Sequence, residues 1–575
     1  MRRIAVILFL MLLLWGMTAR AGGLRIVLEG VDGALRENVL ATLSLARYAA
    51  DTGTPDPFRI RRLYRRADRE IRKALEPFGY YRVRIDSELK QREDGGWLAR
   101  FRIAPGEPVR LESVTIRILG EGRSAPALRE VIAGFPLEPG APARHDRYDA
   151  GKKALLQAAR EAGYRDARFT IHRLEIDPER NIARIRLVLD TGPRYRFGEV
   201  RFSGTRLDPS LLAAMVPFRP GEPYSPDRLL ALQRALERSG YFSVVDVVPV
   251  VSGAQEYRIP VEVRLVPAKP NRYLLGLGYG TDTGYRFRLG WQRRYLGSRG
   301  HRFDLDLGLS GIRQEARFSY RIPLSRPLTD VLQITAGLGD RSTGSNDAVV
   351  RVLGVRRHQV RGRRERSFGI RAESTTFRVG ADSGTSRLLV PDFEVRRVRR
   401  EDDRAGSRIA LTLDGAAEAL FSDVSFIRLQ LEGKRIVPLG ERARLLLRAK
   451  VGTLAASDFS RLPPAYRFFA GGDQSVRGYA FESLGPRDAS GRIAGGRQLV
   501  EGSIEFQRRL WRELGLAVFL DIGNAVDRLG DPLRRGAGIG LRWRLPVGMA
   551  GIDLAFALGE PGTPWRIHLT LGPEL

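Results

Sequence analysis

The chain has 575 residues, room for several domains, and a formal net charge of +30 from 96 basic residues, of which only seven are lysines. That excess would suit nucleic acid, but no basic low-complexity tract or zinc-ligand spacing accompanies it; arginine serves equally well for fixed pairing with carboxylates and phosphates, lipid headgroups included. With no cysteine anywhere, disulfide scaffolds, thiol catalysis and thiolate metal sites are excluded. The N-terminus sets the compartment. Arg2 and Arg3 precede an apolar core over residues 4–14, and Ala19-Arg20-Ala21 closes it, which predicts a secretory signal over residues 1–21 with cleavage after Ala21. No later run approaches the ~18 apolar residues of a membrane helix, so the mature chain is a soluble exported protein or a β-barrel.

From Leu24 to about Val266 one unit recurs three times. The first copy (residues 22–104) reads as a strand at 24–29, a helix at 36–50, a second helix at 58–76 ending at Gly79-Tyr80-Tyr81, and strands at 81–89 and 97–103. The second (105–191) has a strand at 111–118, a helix at 146–161 closing at Gly163-Tyr164, and strands at 167–176 and 183–189. The third (192–268) starts at 196–202, closes its helix at Gly240-Tyr241-Phe242, and continues at 244–251 and 257–266. Glycine after each helix supplies the left-handed C-cap, and Pro105-Gly106-Glu107-Pro108 and Thr191-Gly192-Pro193 separate the copies.

After Pro270 helical periodicity gives way to alternation at period two. Stretches such as Arg302–Leu307 and Arg566–Leu571 place apolar residues on one face and polar ones on the other, the pattern of a membrane barrel with a polar lumen. Sixteen strands are predicted, at 272–280, 283–293, 300–310, 312–322, 328–338, 347–358, 364–374, 386–398, 407–419, 422–436, 442–454, 497–509, 514–522, 537–545, 549–557 and 564–571. The fold class is thus α+β and all-β: three βααββ modules followed by a 16-stranded transmembrane β-barrel over residues 269–575. The long connection after the eleventh strand carries Arg467-Phe468-Phe469-Ala470-Gly471-Gly472-Asp473-Gln474-Ser475-Val476-Arg477-Gly478-Tyr479. By composition it is either a tight turn with a solvated arginine or a loop folded into a cavity, its arginine meeting buried carboxylates.

The three βααββ copies resemble POTRA domains, the periplasmic modules of outer-membrane insertion proteins. Val476-Arg477-Gly478-Tyr479, with Phe468 and Gly471-Gly472 ahead of it, resembles the loop-six motif of the BamA-type insertases (the bacterial surface antigen superfamily). In that family the arginine folds into the lumen against acidic residues of following strands. Here Ser503-Ile504-Glu505-Phe506 and the Phe-x-Asp motif Phe519-Leu520-Asp521-Ile522-Gly523 match those strands. Parity agrees: Glu501, Ser503, Glu505 and Gln507 share one face, and Phe519, Asp521 and Gly523 share another, so Glu505 and Asp521 are expected to point inward.

Three modules, this length and the ending Leu571–Leu575 favour the TamA-type (translocation and assembly module) branch. Two-partner-secretion transporters and a passive porin-like channel remain as alternatives. The branch implies an outer-membrane protein with periplasmic modules that assembles other outer-membrane proteins, such as autotransporters. The partners implied are the inner-membrane-anchored TamB, unfolded outer-membrane protein substrates and outer-membrane lipids, with a part in phospholipid movement. Neither nucleic acid nor a metal or cofactor is expected, and no enzyme: nucleophile elbow, phosphate loop and His-rich metal spacing are missing, and the five histidines are scattered. Insertion by such a barrel needs a weak seam. Leu275-Gly276-Leu277-Gly278-Tyr279 on the first strand, glycine-weakened, and Leu569 and Leu571 on the short last strand are its expected edges, with Leu277 expected to face Leu569.

Overall fold

The computed structural model describes residues 23–50, 56–93, 95–400, 405–545 and 548–572. The expected secretory signal and Pro573-Glu574-Leu575 lie outside the described residues. The chain forms two compact units whose boundary runs through the third module.

The first module comprises β1 (Leu24–Glu29), α1 (Gly33–Thr42), α2 (Ser44–Ala50), α3 (Pro57–Leu75), β2 (Arg84–Gln91) and β3 (Trp97–Ala104). The single helix predicted at 36–50 is two, because Leu43 turns to an extended conformation and buries its side chain. Helix α3 starts where the Asp56 carboxylate accepts from Phe58 N at 2.9 Å, with Pro57 in the first turn. Its arginines ring a face that buries Ile60, Ala67, Ile71, Ala74 and Leu75. The third strand of the module is central: β3 pairs parallel with β1 and antiparallel with β2.

The second module repeats this with β4 (Arg110–Leu119), α4 (Pro126–Ala133), α5 (His145–Glu161), β5 (Arg168–Asp177) and β6 (Ile182–Asp190). The third has β7 (Arg196–Ser203), α6 (Pro209–Ala213), α7 (Pro226–Ser239), β8 (Phe242–Pro249) and β9 (Arg258–Pro267). Its three-stranded sheet again has the last strand in the centre. The short helices α4 and α6 escaped the sequence reading because one or two turns carry too little periodicity. The cap glycines Gly79, Gly163 and Gly240 all have positive φ (94°, 100° and 71°). Each joint then hands on the chain: Gly79 O accepts from Val109 N, Gly163 O from Tyr195 N, and Tyr241 O from Ala268 N, each at 2.8 Å.

The remaining strands are β10 (Asn271–Gly280), β11 (Gly284–Leu296), β12 (His301–Ser310), β13 (Arg313–Pro323), β14 (Asp330–Ser342), β15 (Asn346–Arg361), β16 (Arg364–Val379) and β17 (Asp382–Arg400). They continue as β18 (Gly406–Ala416), β19 (Phe426–Leu439), β20 (Ala443–Ala456), β21 (Gln498–Arg509), β22 (Leu514–Val526), β23 (Arg534–Leu545), β24 (Gly548–Leu558) and β25 (Trp565–Gly572). All sixteen fall where alternation predicts them and pair in sequence order as one sheet, a nearly closed barrel. The middle strands outrun the prediction because hairpins such as β16–β17 keep pairing beyond the apolar stretch. Alternation holds face by face: Ile504 and Leu520 are more than half exposed on the outer wall, whereas Ser503, Glu505 and Asp521 are buried inside.

Candidate functional site: loop six and the seam

The connection between β20 and β21 folds back into the lumen instead of standing in solvent. Phe468, Ala470, Val476, Tyr479 and Leu484 pack there with Leu454, Leu499, Ala525 and Ala557 of the wall. Its base is held by Arg467, whose Nη1 donates to Asp382 (2.8 Å) and to Ala494 O (2.9 Å) and whose Nε donates to Leu462 O (2.9 Å).

At its tip Arg477 is 2 % exposed. Nε and Nη2 donate to the two oxygens of Asp521 at 2.7 and 2.9 Å, a bidentate pair. Nη1 reaches Glu505 at 2.6 Å and Asp553 at 3.2 Å, and the guanidinium lies 3.4 Å from the Phe519 ring centroid. Burial alone would lower the Arg477 pKa, but the hydrogen bonds and charge of Asp521, with the charges of Glu505 and Asp553, hold it above its ordinary value.

Arg542 balances the remaining charge by donating to Glu505 (2.9 Å) and Asp553 (2.5 Å), and Arg448 lies 3.9 Å from Asp521. Three carboxylates therefore face three guanidiniums. The backbone fits as closely: a Cβ at Gly536 would lie 1.9 Å from Arg477 O, and one at Gly478, where φ is +96°, 2.8 Å from Ala557 N.

The structure thus brings Arg477, Glu505, Phe519 and Asp521 together, sets Gly523 further along β22, and places the Tyr479 hydroxyl 3.4 Å from Glu560. Sequence reading missed Asp553, Arg542 and His568. Each is a lone polar residue between apolar neighbours, a pattern shared with many other lumen residues such as Asp304.

His568 is fully buried on β25, and its Nε2 accepts from Gly478 N at 3.1 Å. Its Nδ1 lies 4.0 Å from Asp282, in the turn between β10 and β11. Asp282 also accepts from Asp473 N at 2.8 Å, and Leu569 N donates to Thr281 Oγ1 at 2.8 Å. Loop six therefore touches both edges of the sheet at one end, with Asp282 and His568 as the meeting point. The Asp473 carboxyl, buried and close to Asp282, is pushed up to about 6.

Elsewhere β10 and β25 share no ladder among the described residues. Strand β10 is exposed on both faces, Leu275 and Leu277 at 69 % and 75 %. The expectation that Leu277 faces Leu569 is corrected: Leu569 lies beside Gly280 and Thr281. Continuing antiparallel from there sets Leu571 opposite Tyr279 and carries the earlier part of β10, Leu275 included, past the end of the described β25. The nearest neighbours at Gly276 and Gly278 are Arg288 and Arg286 of β11, not loop six.

The Omp85 superfamily domain profile matches residues 269–574, a POTRA TamA domain 1 profile matches 25–105, and the POTRA profile (surface antigen variable number repeat) matches 195–267. The chain is similar to outer membrane protein assembly factor BamA of Nitratidesulfovibrio vulgaris, 32 % identical over 147 residues; the match spans 24 % of this chain and 18 % of that protein. Among solved structures, BamA from Haemophilus ducreyi lacking POTRA domains 1–3 superposes with a TM-score of 0.65 at 16 % identity, covering 79 % of this chain and 98 % of that one, which establishes likeness of fold. CdiB from Acinetobacter baumannii gives a TM-score of 0.48 at 14 % identity, covering 80 % and 89 %.

Proposed function

Because the chain belongs to the Omp85 superfamily, we propose that it assembles other β-barrel proteins in the bacterial outer membrane by opening the seam between β10 and β25, with its modules in the periplasm. The observation that carries this reading is the bare edge of β10. A strand edge in lipid leaves backbone polar groups unsatisfied at several kcal/mol each. An edge already free of a ladder can pair with an incoming strand at little added cost. A lumen occupied by loop six and cross-linked by ion pairs speaks against a passive porin-like pore.

The TamA-type first module and the count of three modules support a TamA-like role, with autotransporter-type substrates and TamB docked on the modules. Phospholipid movement to the outer membrane belongs to the same reading. Deleting the first module, 24–104, is expected to abolish TamB binding while the barrel still assembles; retained binding would move the docking site elsewhere.

Seam opening is tested by a Tyr279→Cys/Leu571→Cys chain in vesicles, for which the native absence of cysteine gives a clean background. Oxidation is expected to stop insertion of an unfolded barrel substrate, and reduction to restore it. An oxidised chain that inserts at the wild-type rate rules seam opening out.

A further inference from the structure

A recess of about 730 Å³ lies on the outer side of the first hairpin, in the second unit, at the end where β10 begins. Its walls are Leu207, Tyr241, Phe242 and Tyr295, and its only charged lining residues are Arg206 and Arg293. Both arginines are exposed and have no carboxylate partner among the described residues. The two tyrosine hydroxyls are already used, Tyr241 donating to Gly300 O at 2.7 Å and Tyr295 to Ala268 O at 3.1 Å, so the rings offer apolar surface.

Register fixes the depth of this recess. Gln292 pairs with the lumen residue Asp304, and Trp291 and Arg293 with Leu305 and Phe303, so Trp291 and Arg293 point outward. Trp291, Phe303 and Phe318 form an outward aromatic cluster with ring centroids 5.0 and 4.7 Å apart. Such clusters sit at the boundary between hydrocarbon and headgroups. Arg293, two residues nearer the turn than Trp291, therefore lies at headgroup level.

We propose that this recess binds the phosphate-bearing headgroup of one membrane lipid. Arg206 and Arg293 hold the phosphate, and the acyl chains leave past Trp291 and Phe303 along the barrel wall. Inorganic phosphate would leave the aromatic walls unused. The site rests on the barrel spanning a membrane and not on its inserting proteins.

The test is native mass spectrometry of the full chain in detergent, titrated with phosphatidylglycerol, with diacylglycerol and with inorganic phosphate. The wild type is expected to retain one phosphatidylglycerol, and Arg206→Glu/Arg293→Glu to bind it about tenfold more weakly. Ser298→Trp, which fills the recess without changing charge, is expected to weaken it similarly, and Arg512→Glu, on another turn at the same end, to leave it unchanged. Equal binding by the double variant, equal loss in Arg512→Glu, equal retention of diacylglycerol, or displacement by equimolar phosphate would each overturn the proposal. Insertion activity plays no part in this readout, so it stands or falls separately from the insertase reading.

Discussion

The barrel wall is held in two very different ways on either side of loop six. Toward β21, β22 and β24, Arg477 engages three carboxylates, and the backbone is so close that Gly536 has no room for a methyl group. Toward the seam, among the described residues, β10 and β25 meet through one hydrogen bond at Leu569, a histidine and an aspartate. The loop is thus fixed to the closed part of the wall and only leans on the part proposed to open. A ligand-free opening then needs few contacts broken, and those few lie together.

Arg477→Ala breaks the strong side and carries the largest expected effect. Losing one partner of a buried ionic cluster costs about 3–5 kcal/mol, so the barrel should assemble while the 457–497 loop becomes protease-sensitive and insertion falls. Unchanged protection in this variant would show that apolar packing alone seats the loop. Gly536→Ala attacks the same side through sterics. Overpacking of about 1–3 kcal/mol is expected to lift the Arg477 carbonyl and raise loop cleavage with every charge intact.

His568→Leu probes the weak side. It removes the acceptor for Gly478 N, worth about 1 kcal/mol, and should speed thiol labelling at Tyr279→Cys without exposing Arg477. Equal labelling rates with and without His568 would separate loop and seam.

The smallest effect is in pH. The folded Asp473 pKa of about 6 lies above the ordinary 3.8, so its contribution to loop seating is full below about pH 4 and lost as pH rises through 6. Asp282, Arg286 and Arg448 set its field, and the His568 ring lies 4.0 Å from Asp282. The difference between wild type and Asp473→Asn isolates the effect: wild-type loop protection should rise between pH 7 and 5 relative to the variant.

Much of this contrast was legible in the sequence. Period two marks all sixteen strands, and parity alone turns Glu505 and Asp521 inward. The strong side was readable because its arginine, glutamate and Phe-x-Asp strand stand in a recognisable order. The weak side was not. Thr281, Asp282 and His568 become neighbours only when the sheet curls until its two ends meet, and no local pattern encodes that register. The same gap misplaced Leu277 opposite Leu569. In the modules, the break at Leu43 was hidden because Leu43 and Leu45 are both buried, so apolar periodicity runs through the interruption.

The separation of the seam contacts along the chain has a kinetic consequence. Asp473 meets Asp282 across 191 residues, and Leu569 meets Thr281 across 288. Contacts this distant form late, because the intervening chain must be ordered before they repay its loop-closure entropy. The tip of loop six also draws on β21, β22, β24 and β25, the last strands to be made. During the protein's own biogenesis, protection of this loop is therefore expected to appear after the wall has formed. A folding time course that follows cleavage of the 457–497 loop alongside formation of the barrel sheet would time the two events.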